Sequence, residues 1–314
     1  MSRTLRIAVT LALLAWLLDG IEWQRLLRLL GGLQFWEWFA LLLFQLAGMW
    51  LAAWKWRLLL PDRSTWLLFR LNLVAAFYSL IAPGQLAVEA AKAYVLGRGR
   101  HDAEAVAASV ILDKLTGMTA LFLVGLAGLC LTTVKDFTAV VQLFALLLAA
   151  SLAAMLSLRL PQAVRIAYAA VDGLAVRLPA VAGWMNRVKL LIDSWCELLQ
   201  RPKVLFMSVM AGVAVQGVHV ITVAAIAQQC GVNLPIAEWA WILGAISVAT
   251  LLPISIGGAG VREGSFVGIL AIFSVGKEDA LAISFAVFGL QMALGMMGSV
   301  LHFFGKRGLA STDN

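Results

Sequence analysis

Six charged side chains stand inside stretches of sequence that are otherwise apolar: Glu89, Lys92, Asp113, Lys114, Arg262 and Glu263. A charge at the centre of a bilayer costs about 2.5–3.5 kcal/mol for Asp, Lys or Arg. Six such charges left apart would cost on the order of 15–20 kcal/mol, at or above the whole stability of a typical fold. They must therefore face one another or a wet cavity, three acids against three bases. Glu89 and Lys92, three apart, share one helix face. Asp113 and Lys114 are adjacent and point about 100° apart on their helix. Arg262 and Glu263 follow Gly257, Gly258 and Gly260 at the expected start of a helix, where free backbone N–H groups and the helix dipole favour an anion. Arg262, beside that glycine-rich turn, is the base whose setting points to an anion site. The same six could also form buried ion pairs that clamp helices and touch no ligand, and their spacing leaves both readings open.

The elements that must position them follow from composition. Of 314 residues, 62% are hydrophobic and 13% charged, with a mean hydropathy of +0.92. A soluble domain is about 45–50% apolar and about 25% charged. The excess is too large for one core, so the chain is expected to be an all-α polytopic membrane protein of a single transmembrane domain over 1–314. That excludes a secreted disulfide scaffold, a disordered regulator and an ordinary cytosolic enzyme. A spanning helix needs about 20 mostly apolar residues. Six segments qualify, near 4–20, 36–56, 105–132, 138–158, 204–230 and 280–304. Two more apolar stretches, 66–96 and 238–275, are broken midway, the first at Pro83-Gly84 and the second at Pro253 and the glycines after it. Proline removes a donor and glycine admits non-helical backbone, so each should split into two short helices.

Charge placement predicts how these stretches run. The segment 159–203 carries Arg159, Arg165, Arg177, Arg187, Lys189, Arg201 and Lys203 against Asp172, Asp193 and Glu197, the strongest cytoplasmic signal in the chain. It lands inside only if 66–96 turns back to the side it came from. Two opposed re-entrant hairpins, inverted-repeat-like, leave only Arg25, Arg28, Lys135 and Lys277 outside, while Lys55, Arg57 and most other bases stay inside. Both termini are then cytoplasmic in a plasma membrane, and the Pro-Gly tips meet near mid-membrane, as in inverted-repeat transporters. The net charge of +7 is accounted for by topology and gives no reason to expect a nucleic-acid partner. Arg3, Arg6 and the apolar run after them read as an uncleaved signal anchor. The segment near 160–203, divided by Pro179, reads as amphipathic helices on the cytoplasmic face or as a solvated connector. Trp54 and Trp56, interleaved with Lys55 and Arg57, read as an interfacial anchor, as do Trp23, Trp36 and Trp38 on the other side.

Other constellations carry little. Cys130, Cys196 and Cys230 have no CxxC spacing and read as buried thiols, with no metal site expected. His219, one turn after Gln216, suggests a helix-packing hydrogen bond, while His101 and His302 are isolated. No Walker loop, HExxH or Ser/His/Asp set is seen, so no cofactor is expected and any pumping would draw on an ion or proton gradient or run passively.

The run Pro253-Ile-Ser-Ile-Gly-Gly-Ala-Gly-Val-Arg-Glu263-Gly resembles the signature of the lysylphosphatidylglycerol synthase transmembrane-domain family, flippase-like membrane proteins. Pro83-Gly84 with Glu89, Lys92 and Tyr94, and Ser109-Val110 with Asp113, Lys114 and Gly117, are similar to that family's two N-terminal motifs. Members often have Arg where Lys92 and Lys114 stand, and a second Gly at Gln85; lysine keeps the charge but gives up bidentate phosphate geometry. The resemblance implies movement of a lipid or lipid-linked headgroup across the bilayer. It does not imply aminoacyl transfer, because the soluble synthase domain of bifunctional relatives is not expected here.

The expectation is therefore a non-enzymatic flippase for an anionic phospholipid or a polyprenyl-phosphate-linked headgroup. Arg262, Lys92 and Lys114 would offset the phosphate, and Gly257, Gly258 and Gly260 would give access. The alternatives are a membrane enzyme acting on a lipid-linked sugar with Glu89 or Asp113 as base, and a non-transporting envelope-biogenesis partner.

Overall fold

The computed structural model describes residues 10–304 except 11, 14, 20, 33, 82–84, 98–101, 133–137, 178–181, 252–254 and 256–257. Among the described residues there is helix and no strand. The helices are α1 (Trp23–Gly31), α2 (Phe35–Leu59), α3 (Thr65–Ile81), α4 (Gln85–Gly97), α5 (Ala103–Leu131), α6 (Thr138–Leu156), α7 (Pro161–Arg177), α8 (Ala182–Leu199), α9 (Pro202–Gln229), α10 (Ile236–Leu251), α11 (Val261–Leu270) and α12 (Lys277–Phe304). Five of these, α2, α5, α9, α12 and α6 with its short extension to Arg159, are long and apolar enough to cross a membrane, while α3 and α10 are shorter and apolar. The fold is all-α and polytopic. The sixth expected span, near 4–20, lies largely outside the described residues, although those described between Thr10 and Leu18 are helical. Helix α5 has 29 residues and α4 has 13. At a rise of about 1.5 Å per residue, α5 extends about 43 Å, whereas α4 extends only about 20 Å, too short to span alone.

α5 lies at the centre, packed against α2, α4, α6, α8, α9 and α10. Lipid tails are as apolar as leucine, so helices in a bilayer gain from close van der Waals approach, and small residues permit it. The ring of Phe144 on α6 fills the space left by two glycines. A Cβ at Gly125 on α5 would overlap that ring, and one at Gly244 on α10 would fall 2.6 Å from it. Phe122, Phe144, Trp239, Trp241 and Phe266 form the heart of the largest core. α12 packs along α3 at still closer range. A Cβ on Gly298 would run into the Leu73 carbonyl, and one on Gly295 would lie 2.7 Å from Leu80 Cδ1.

Polar contacts collect at two levels, at opposite ends of the long helices. At one level Gln229 donates to Glu37 at 2.8 Å, Arg25 pairs with Asp279 at 2.9 Å, Lys277 donates to the Asp19 carbonyl, and the Thr132 hydroxyl donates to Glu238. At the other, Arg63 pairs with Asp102, Arg187 lies 3.9 Å from Glu104, and Arg201 pairs with Glu197. Residues just before α3 and just before α5 thus meet, and so do residues at the start of α10 and at the end of α5.

α7 and α8 flank the expected division at Pro179. No residue of α7 is buried. α8 is held to the end of α6 by Trp195, whose indole N–H donates to the Met155 carbonyl, and to α7 by the Lys189–Asp172 pair.

Several expectations are corrected by this packing. Trp54 and Arg57 are exposed, as an interfacial anchor requires, but Lys55 and Trp56 are buried at 5% and 1% exposure. Residues three apart share a helix face, so 54 and 57 look outward while 55 and 56 turn into the bundle. The cysteines are free thiols, but only Cys230 is buried and Cys130 is exposed on α5. His219 lies on the exposed side of α9, and no hydrogen bond of its ring is found among the described residues.

Candidate functional site

The first charged group is assembled by α2, α4 and α5. Lys55 Nζ donates to the Asp113 backbone carbonyl at 2.7 Å, reaches the Thr116 hydroxyl at 3.4 Å and lies 2.9 Å from Asp113 Oδ1. The side chain passes over two glycines. A Cβ at Gly117 would approach Lys55 Nζ to 3.4 Å, and one at Gly212 on α9 would approach its Cδ to 3.8 Å. On α4, Lys92 and Glu89 form an i,i+3 ion pair at 3.0 Å. Lys92 Nζ also lies 5.5 Å from the ring centroid of Trp56, within cation–π range. That ring is fixed in turn, because the Trp56 indole N–H donates to the Ser109 hydroxyl at 3.1 Å. Lys114 completes the group, within electrostatic reach of Glu89, Lys92, Asp113 and Lys55. Asp113 stands well inside α5, past its first two turns. The group therefore sits about 15 Å along a helix of bilayer length.

The second group is built at the start of α11. Gly258 and Gly260 have φ of +77° and +83°, backbone that favours glycine, and they turn the chain into the helix. Glu263 reaches back so that its Oε2 accepts the Gly260 N–H at 2.6 Å. Its Oε1 accepts from Arg262 Nε at 3.0 Å, from Arg262 Nη2, and from the Ser284 hydroxyl at 3.4 Å. Arg262 Nη1 donates to Gln291 at 3.0 Å, and the guanidinium lies 4.6 Å from the Phe288 ring centroid. Both charges are buried, Glu263 at 1% exposure and Arg262 at 7%. The carboxylate of Glu263 occupies the helix start that was expected to attract an external anion, and it balances Arg262 in place.

The six residues read from the sequence therefore fall in two groups. Glu89, Lys92, Asp113 and Lys114 gather around Lys55, and Arg262 and Glu263 pair with each other against α12. Gly260 packs closely on the N-terminal segment, where a Cβ would fall 2.8 Å from Leu13 Cβ. Its glycine is thus required by backbone angle and by helix packing. Pro83, Gly84, Pro253 and Gly257 lie outside the described residues. Lys55 is the member that sequence reasoning missed. The buried positions of α2 are Gly48, Ala53, Lys55, Trp56 and Leu59, and no polar stripe in the sequence sets that face apart from the other. The neighbouring tryptophans and Arg57 drew the reading towards an interface instead. Among the described residues, no cluster of His, Cys, Asp and Glu suits a metal ion.

The first group can hold a polar headgroup by charge, and the second fixes a helix start in the interior of the bundle. No curated protein and no solved structure matched the chain. A family model did match, described as the lysylphosphatidylglycerol synthase TM region and covering residues 3–298. With that match over nearly its whole length, and with the apolar helices described above, the chain is a multi-pass membrane protein that belongs to the lysylphosphatidylglycerol synthase transmembrane-region family.

Proposed function

We propose that this protein is a non-enzymatic flippase of the plasma membrane, passing an anionic phosphate-bearing lipid headgroup between helices while the hydrocarbon chains stay in the bilayer. The observation that carries the reading is the group of buried Lys55 with half-buried Glu89, Lys92, Asp113 and Lys114 beside bilayer-length helices. Intramembrane charges are retained at a cost, and they mark substrate and ion pathways. Glu89, Lys92 and Asp113 keep side-chain exposures of 22%, 14% and 19% in a region that lipid would otherwise seal.

Two further observations support opposed re-entrant hairpins. Arg63 and Asp102 bracket α3 and α4 and pair with each other, so that stretch returns to the level where it began. Likewise α10 starts at the Thr132–Glu238 contact and α12 starts at the Arg25–Asp279 contact, both on the opposite level. The end of α3 packs Leu80 against Gly295. Gln291, which holds Arg262, stands one turn earlier on α12. That turn is about 6 Å along the axis, so the end of α3 at Leu80 lies near the level of the Arg262 group. The distribution of bases then puts both termini in the cytoplasm. Lys92 and Lys114 would meet the phosphate, and Glu89 and Asp113 would hold those bases between passages or relay protons for coupling.

The test is reconstitution of the purified chain into vesicles with a fluorescent phosphatidylglycerol, reading inward and outward exchange by dithionite quenching. Wild-type vesicles should exchange the lipid well above empty ones. Lys92→Gln, which removes a cation more exposed than Lys55 (14% against 7%), should slow exchange about tenfold or more, the equivalent of about 1.4 kcal/mol of lost stabilisation. Exchange equal to that of empty vesicles for every anionic lipid tried, or full activity in Lys92→Gln, would overturn the reading.

A further inference from the structure

α7 buries none of its residues, and its two faces differ. Val164, Ala167, Tyr168, Val171 and Ala175 are half-buried and recur at the spacing of one helix face. That face meets α8, where the Tyr168 hydroxyl donates to Asp193. The opposite face is exposed and carries no acid: Ile166, Ala169, Ala170, Gly173 and Arg177 recur along it at the same spacing. Ile166 is 70% exposed, and Val176 at the edge of the face is 81% exposed. The charges around it are unequal. Between Arg159 and Leu199 the chain has five bases and three acids, and residues 178–181, which lie outside the described ones, are uncharged types. Asp172 pairs with Lys189, Glu197 pairs with Arg201, and Asp193 holds Tyr168. Arg187 reaches towards Glu104 at 3.9 Å. Arg159, Arg165 and Arg177 are exposed and form no ion pair among the described residues.

Position decides what such a face meets. α6 with its extension is a helix of bilayer length that ends at Arg159, and α7 begins at Pro161. α9, another such helix, begins at Pro202, shortly after α8 ends at Leu199. The α7–α8 pair therefore starts and ends where two spans leave the hydrocarbon. α8 ties it to that end of the bundle through Trp195 and the Met155 carbonyl. The headgroup layer is about 5–8 Å deep on each side of a bilayer, so α7 starts within it. We infer that the exposed face of α7 docks on an anionic lipid surface, with Ile166 and Val176 among the upper acyl chains and Arg159, Arg165 and Arg177 on lipid phosphates. Arginine stems lie along apolar surface while their heads reach the phosphates. Juxtamembrane bases of this kind are drawn to a leaflet of net negative charge, and the positive-inside rule makes it the cytoplasmic one. A second copy of the chain seated on this face would set the same arginines against one another. The inference rests on α6 and α9 as membrane spans and is independent of the flippase reading.

The experiment uses the full chain in nanodiscs of phosphatidylcholine alone and of equal parts phosphatidylcholine and phosphatidylglycerol. A polarity-sensitive fluorescent amino acid replaces Ile166 or, in a second protein, Val176, by codon suppression, so that the native cysteines stay. Quenching by nitroxides on the lipid chains is compared with quenching by acrylamide, a neutral aqueous quencher that surface charge does not repel. In the mixed discs lipid quenching should dominate at both positions, and added salt should weaken it. In phosphatidylcholine discs the balance should move towards acrylamide. Arg165→Gln with Arg177→Gln should lower the docking equilibrium in mixed discs about 25-fold, about fivefold for each arginine, with melting unchanged because neither side chain is paired. Should that variant melt early, the salt series on the otherwise unaltered chain reads the same charge contribution. Probes open to acrylamide and unreached by the lipid nitroxides in mixed discs overturn the inference. Equal lipid quenching in both kinds of disc also overturns it, since the contact would then be apolar and blind to charge. Protection from both quenchers would mean that protein covers the face, a second copy if the mass per disc doubles, and would overturn it as well. No step reads lipid movement, so a chain that docks α7 and moves no lipid would sink the flippase reading alone.

Discussion

Glu263→Gln probes the second charged group most sharply. The carboxylate is at 1% exposure and faces Arg262 Nε at 3.0 Å. At that separation, with an effective dielectric constant near 20, the pair attracts by about 5.5 kcal/mol. Breaking a buried pair by removing one partner costs about 3–5 kcal/mol, because the other charge stays buried and uncompensated. Glutamine can still accept the Gly260 N–H through its one carbonyl oxygen, but then its amide N–H groups face the guanidinium donors. Glu263→Gln is therefore expected to lose about 3–5 kcal/mol. At roughly 2–4 °C per kcal/mol, that lowers the melting temperature by about 10 °C. Neutralising both partners, Arg262→Met with Glu263→Gln, should recover most of the loss, since a buried pair replaced by apolar groups is often neutral. The assay is thermal unfolding of the detergent-solubilised chain followed by size-exclusion recovery. A Glu263→Gln protein melting within about 2 °C of wild type, or a double variant no better than the single one, would refute the view that these charges are buried and mutually balanced.

Three other outcomes are expected. Gly298→Ala should disrupt the contact of α12 with α3, since the new Cβ would collide with the Leu73 carbonyl. At Gly217 a Cβ would meet nothing within 4 Å, so the same change there should be neutral or stabilise by up to about 1 kcal/mol through helix propensity. Comparing melting of the two variants checks this. Tyr168, hydrogen-bonded to the Asp193 carboxylate on α8, has its phenol pushed up to about 12, chiefly by that bond. Its folded pKa exceeds the ordinary phenol value of 10.0, so its contribution to stability is complete below about pH 10 and fades as pH rises towards about 12. The phenolate absorbance lost in Tyr168→Phe should therefore titrate near 12, and a midpoint near 10 would contradict the contact. Finally, Trp56→Phe should cost about 1–3 kcal/mol, because it leaves the Ser109 hydroxyl without its indole donor, and melting of the variant measures it.

Much of this architecture was legible from periodicity and composition. The ends of α2, α5, α9 and α12 fall within a few residues of the expected spans, because an apolar run of about 20 residues has few alternatives in lipid. Described helices end at Ile81, Arg177 and Leu251 and resume at Gln85, Ala182 and Val261, on either side of the expected divisions, whose prolines lie outside the described residues. What was not legible was which face of a helix turns inward when both faces are apolar. Lys55 and Trp56 illustrate this: all around them lie leucines, alanines and tryptophans, so no amphipathic stripe marks the buried side, and packing against α5 and α9 decides it. The same ambiguity put Cys130 inside when it lies on the exposed face of α5. At Glu263 the difficulty was of another kind. A helix start attracts any nearby anion, and a carboxylate three residues along the same chain has the advantage over a ligand.

A cryo-electron microscopy structure of the full chain in nanodiscs of phosphatidylglycerol tests the headgroup pathway most directly. Headgroup density is expected inside the bundle, with a phosphate oxygen about 2.7–2.9 Å from the ammonium of Lys92 or Lys114. A closed set of ion pairs around Lys55, with phosphate density confined to the two membrane surfaces, would contradict it.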